Sequence, residues 1–127
     1  MPTSEVNNFA RILMQEVRDR AIRSCDQQLE QGSQTPVGTR WADLITTGKS
    51  VNVARAIVPD CVDEVIFFLL EAIDQGVLRL SYTDQSGKTV DLQNEGLGEL
   101  SGWFMGSGGW RSQYSEQRFS DDFLDLQ

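Results

Sequence analysis

Trp103, Phe104, Trp110 and Tyr114 fall within twelve residues, with Arg111 between the last two. Tryptophan, tyrosine and arginine are the residue types enriched at binding hot spots, and rings beside glycine can wall a shallow ligand pocket. Six of the eleven glycines lie between Gly96 and Gly109. A phosphate-cradling reading of that run fails on spacing. The dinucleotide fingerprint needs G-x-G-x-x-G between a strand and a helix, and the P-loop needs a lysine after its last glycine. Here Gly106-Ser107-Gly108-Gly109 leads into Trp110-Arg111. Gly98, Gly102 and Gly106, spaced by four, would share one helix face where another backbone can approach closely. Trp103, Trp110, Arg111 and Tyr114 are therefore candidates for contact with a partner or ligand, with Trp110, Arg111 and Tyr114 expected on a loop.

Catalysis finds little support. The chain has no histidine, which excludes Ser-His-Asp and Cys-His triads, histidine-ligated metals and imidazole proton shuttles. Cys25 and Cys61, the only cysteines, have neither the spacing of a zinc site nor the number of a disulfide framework. They read as small core residues in a reducing compartment. Glu95 with Glu99, and Asp121 with Asp125, are like-charged pairs at helical spacing and read as solvated helix surface. Arg118 and Asp122 form an offsetting pair at the same spacing. A calcium loop would need D-x-D-x-D-G, which is absent. Lys49 and Lys88, the only lysines, fall at a helix start and in a hairpin, neither suited to a depressed pKa. We expect no catalytic residue, no metal and no cofactor.

Charge divides the chain. Residues 1–59 carry seven bases and six acids, net +1; residues 60–127 carry four bases and thirteen acids, net −9. An acidic chain is repelled by phosphate backbones, so nucleic acid is not an expected partner. No apolar run reaches the ~20 residues of a membrane span, and the first residues have neither the basic nor the apolar region of a signal peptide. The expected location is the cytoplasm.

The elements that must position these residues follow from periodicity. Val6, Ala10, Leu13, Val17, Ala21, Cys25 and Leu29 recur every three to four residues and predict a helix over 4–31, with Ser4 as cap. Arg18, Arg20, Glu16, Asp19 and Asp26 form its wet face. At 1.5 Å per residue that helix is about 42 Å long, more than the roughly 36 Å diameter of a domain this size. A homodimer through the first helix is one way to use the overhang. Thr35-Pro36 starts a short helix. Val51–Val58 reads as a helix capped by Ser50 and ended by Pro59, with a strand reading left open. Asp60 caps a central helix over Cys61–Gln75. Alternation of Leu78, Leu80 and Tyr82, then of Val90 and Leu92, predicts a hairpin turning at Asp84–Gly87. A glycine-weakened helix over about 95–105 and a capped amphipathic helix over Glu116–Leu126 complete the chain.

The expected fold is α+β: one helix-dominated domain over 1–127, with four to five helices and one β-hairpin. The expected function is that of a non-enzymatic protein-interaction module, inhibitor- or immunity-like, binding a basic partner. Asp121, Asp122 and Asp125 would steer the encounter, and Trp110, Arg111 and Tyr114 would anchor it. The alternative is a small-molecule binder or carboxylate-based enzyme with its site at segment 96–111. It requires a pocket lined by Trp103, Trp110 and Arg111 with Glu95 or Glu99 converging on it.

Overall fold

Thr3, rather than Ser4, caps the first helix: its hydroxyl accepts the Val6 N–H at 3.2 Å. The computed structural model describes residues 3–30, 34–45 and 48–120. From this cap α1 (Ser4–Ile12) runs without a break into a π-helical segment (Leu13–Arg18) and then α2 (Asp19–Leu29). The wide turn shifts the phase of the helix. Val17, which regular α spacing puts on the apolar stripe, is half exposed, and Arg18 and Asp19 are buried. The wet face expected for those two residues is thus overturned, because π-segments re-aim the side chains that follow them.

Thr35 caps α3 (Pro36–Leu44), accepting from Gly38 N at 2.9 Å, with Pro36 in the first turn. The next two predicted helices are one. α4 (Gly48–Asp74) passes through Pro59, so the 51–58 stretch is helical, Ser50 and Asp60 lie inside the helix, and Pro59 does not end it. Proline inside a helix has no N–H for the carbonyl four residues back. That carbonyl, on Arg55, instead accepts Nη2 (2.8 Å) and Nε (3.2 Å) of Arg118. A side chain from the far end of the chain completes the helix.

β1 (Ser81–Thr83) and β2 (Thr89–Asp91) pair antiparallel with Tyr82 opposite Val90. Leu78 and Leu80 lie before the first strand. Asp84 shapes the turn by accepting Ser86 N (2.9 Å) and Lys88 N (3.0 Å). A two-stranded ribbon needs a surface to rest on, and Tyr82 meets Phe9 of α1 at 5.8 Å between ring centres.

α5 (Leu92–Gly96) is capped by Asp91. The chain then turns through Leu97 and Gly98, both at positive φ, so the helix expected over 95–105 is split. α6 (Leu100–Met105) starts on Asp74, whose carboxylate accepts the N–H of Leu100 and Ser101 at 3.0 Å each. α7 (Trp110–Tyr114) follows the glycines. Residues 115–120 are not helical, which overturns the helix expected there; Asp121 to Gln127 lie outside the described residues.

The architecture is α+β and helix-dominated, with one antiparallel hairpin. Counting the run from Ser4 to Leu29 as one, it has six helices among the described residues, slightly more than expected. The core joins Val6, Ala10 and Met14 to Ile66, Leu70 and Ile73 of α4, with Leu92, Leu100, Phe104 and Trp110. Cys61, expected inside, is exposed, and Cys25 is half-buried. No helix among the described residues is long and apolar enough to cross a membrane.

Candidate functional site

Two faces of α4 define the site. The inner face carries Asp63, which is buried. It accepts Nε (2.7 Å) and Nη2 (3.2 Å) of Arg18 in a two-pronged grip, and Nη1 of Arg111 at 2.9 Å. Arg18 comes from the end of the π segment and Arg111 from α7. Ser115 ties in Asp19: its hydroxyl donates to Asp19 Oδ1 at 2.6 Å and accepts from Arg18 Nη1 at 2.7 Å. The Glu116 N–H completes Asp19 at 2.8 Å, and the Arg118 carbonyl accepts Arg18 Nη2 at 2.8 Å. Two guanidiniums thus face two carboxylates in the interior, and formal charge cancels. Buried ions persist only when paired and hydrogen-bonded in this way.

The segment 115–120 closes over this cluster. Phe119 lies over Arg111 at 4.7 Å and over Arg18 at 6.0 Å. Arg118 reaches out to Asp26 of α2, 2.9 Å through each terminal nitrogen. Burial, with the charge of Asp26 adding to it, pushes the Cys25 thiol above its usual range, which leaves it a poor nucleophile.

The outer face of α4 is the reverse. Val53, Ile57, Cys61 and Val65 are spaced by four and so stack along one line of the helix, and Phe68 continues it. Val53 and Ile57 are each 51% exposed, Phe68 is 61% and Val65 71%. The ridge is about 22 Å long at 1.5 Å per residue. Isolated exposed apolar residues are ordinary, whereas a continuous line of them marks a contact surface. Asp60 and Glu64 stand exposed beside it, and neither forms an ion pair among the described residues. At the end of the ridge a cavity of about 470 Å³ opens between α4, Met105 and Arg111, with Phe67 and Phe68 in its wall.

The residues singled out in the sequence are distributed as follows. Arg111 belongs to the inner cluster and is buried. Trp110 is buried in the core, edge-on to Phe9 at 6.2 Å. Both stand on α7, not on a loop. Trp103 and Tyr114 pack partly buried against the core. A groove of about 380 Å³ is lined by Trp103, Trp110, Asn7, Gln113 and glycines; Arg111, Glu95 and Glu99 are not among its lining residues. Asp121, Asp122 and Asp125 lie outside the described residues. The ridge on α4 escaped sequence reading because Pro59 divided it. Its signal was nonetheless present in the four-residue spacing from Val53 to Val65. Compared with known proteins, the chain matches no family model, no curated protein and no solved structure.

Proposed function

We propose that this protein is a non-enzymatic interaction module that docks a basic, amphipathic helix of a partner protein along the outer face of α4. One observation carries the reading: an exposed apolar ridge flanked by two carboxylates, Asp60 and Glu64, that form no ion pair among the described residues. An i+4 ridge packs into the groove of another helix at about −50°, the commonest helix-crossing class. Asp60 and Glu64 select bases at the rim of the partner, and the net charge of −8 speeds the encounter. Asp121, Asp122 and Asp125, just beyond Ser120 in sequence, add to that field. Two free thiols favour a cytoplasmic setting.

The test is titration of the full chain with a synthetic helix of leucine and lysine, with an acidic helix as control. The basic helix binds, more weakly as salt rises, and Ile57→Asp with Val65→Asp abolishes binding while circular dichroism is unchanged. Equal binding by the acidic control or by the double variant would overturn the proposal. So would a concentration-dependent dimer lost in the double variant, which would make a second copy of the chain the occupant of the ridge.

A further inference from the structure

The hairpin stops one strand short of covering its own apolar face. Leu80, Tyr82, Val90 and Leu92 share that face by alternation. On the β2 side Val90 and Leu92 are buried; on the β1 side Tyr82 is half-buried and Leu80 is 39% exposed. Leu78, two residues earlier, is 38% exposed. The main chain is open along the same edge. The Leu80 carbonyl accepts the Leu92 N–H at 3.0 Å, and the Asp84 N–H donates to the Lys88 carbonyl at 2.9 Å. With Tyr82 opposite Val90, the even-numbered residues bond to β2, and Arg79, Ser81 and Thr83 turn their N–H and C=O groups outward. No hydrogen bond among the described residues reaches those main-chain groups. Folded proteins blunt such an edge with proline, a bulge or a free charge. Residues 78–83 contain no proline, the pairing of β1 with β2 has no bulge, and the charge of Arg79 is drawn onto Asp91 of β2.

We propose that a second copy of the chain occupies this edge, the two β1 strands pairing antiparallel about a two-fold axis at Leu80 to make one four-stranded sheet. The sequence of the strand is complementary to itself in that register. Leu80 faces Leu80, and Leu78 of each copy faces Tyr82 of the other, so three apolar pairs line up on the inner face. On the outer face Arg79 of each copy lies opposite Ser81 of the other, and these residues exchange four main-chain hydrogen bonds. Neighbouring registers are worse. Moving the axis to Ser81 sets Leu78 against Asp84, moving it to Tyr82 sets Leu80 against Asp84, and moving it to Arg79 sets two guanidiniums opposite each other. So short a seam buries far less than the ~800 Å² per partner of a standard interface, and the dimer is therefore reversible.

The test is sedimentation equilibrium of the full chain from about 10 μM to about 1 mM, concentrations that bracket a weak dimer. The mass rises from monomer towards dimer. Ser81→Pro removes two of the four bonds and weakens the dimer at least about tenfold. The Ser81 N–H points away from β2, so the substitution breaks no bond within the hairpin, and circular dichroism is unchanged. The register is read by charge at the same position: Ser81→Glu, facing Arg79 of the other copy, dimerises about tenfold more tightly than Ser81→Lys. That pair of exposed variants decides the question even where the proline variant fails to fold. A wild-type monomer throughout the range, or a Ser81→Lys dimer as tight as that of Ser81→Glu, would overturn the proposal. Ile57→Asp with Val65→Asp leaves the dimer intact; its loss there would move the second copy from the hairpin edge to the ridge of α4.

Discussion

α4 is turned inside out by ordinary hydropathy. Its inner face buries Asp63; its outer face, little more than a turn further on, exposes Phe68. The two faces differ in partnership. Every charge around Asp63 meets an opposite charge or a fixed dipole, so the interior tolerates ions. The outer ridge stands exposed among the described residues. A helix face is thus assigned to inside or outside by what neighbouring elements bring to it, and none of the described elements covers this apolar face.

The largest way to break this contrast is to remove its inner half. Asp63→Ala leaves the buried Arg111 without its carboxylate and Arg18 with Asp19 alone, and is expected to lower stability by about 3–5 kcal/mol, measured by urea denaturation. Arg118→Ala tests the strap. It strands the Arg55 carbonyl beside Pro59 and releases Asp26, at an expected cost of about 1 kcal/mol, since the ion pair is partly exposed. Amide exchange should rise on both sides of Pro59. The outer face gives the opposite result: Ile57→Asp with Val65→Asp should change stability by less than about 0.5 kcal/mol per site while removing docking. A large stability loss there would mean that the ridge is structural.

The smallest effect sharpens the contrast between buried and exposed carboxylates. In the hairpin turn the Ser86 hydroxyl, and then the backbone N–H groups around it, hold the Asp84 carboxyl below its usual range. A depressed folded pKa contributes stability above the ordinary aspartate value of about 3.9, and that contribution fades as pH falls through the folded value. The Ser86 and Lys88 amide signals should therefore titrate at lower pH than those beside an unpartnered aspartate. Titration at the ordinary value would show that the turn hydrogen bonds do not persist in solution.

Much of the fold was legible because it is written in local spacing. The first helix, the Thr35-Pro36 start and the hairpin follow from periodicity and turn residues, and residues 106–109 are irregular as glycine predicts. The failures have a common physical origin in contacts across long sequence separations. Arg18 and Asp19 look solvated until Asp63 and Ser115 are placed beside them. Pro59 looks like a stop until Arg118 supplies the missing donor. Residues 115–120 carry a helical pattern, but Ser115 is held extended by Arg18 and Asp19. Of the candidate site, Arg111 was legible as an unusual residue in an aromatic setting, though its partner is internal. The ridge was hidden by division of its helix.

The acceptors gathered around Arg18 also set an order of events. Ser115, Gln117 and Arg118 are 97, 99 and 100 residues away from it. During synthesis the guanidinium leaves the ribosome long before any of them, and the carbonyl of Arg55 waits in the same way for Arg118. Closing loops of that length costs entropy before any contact offsets it, and such topologies fold slowly. Arg18 can meet Asp63 once both have emerged, but the full set of acceptors around it, and the donor for the Arg55 carbonyl, is completed only late in translation.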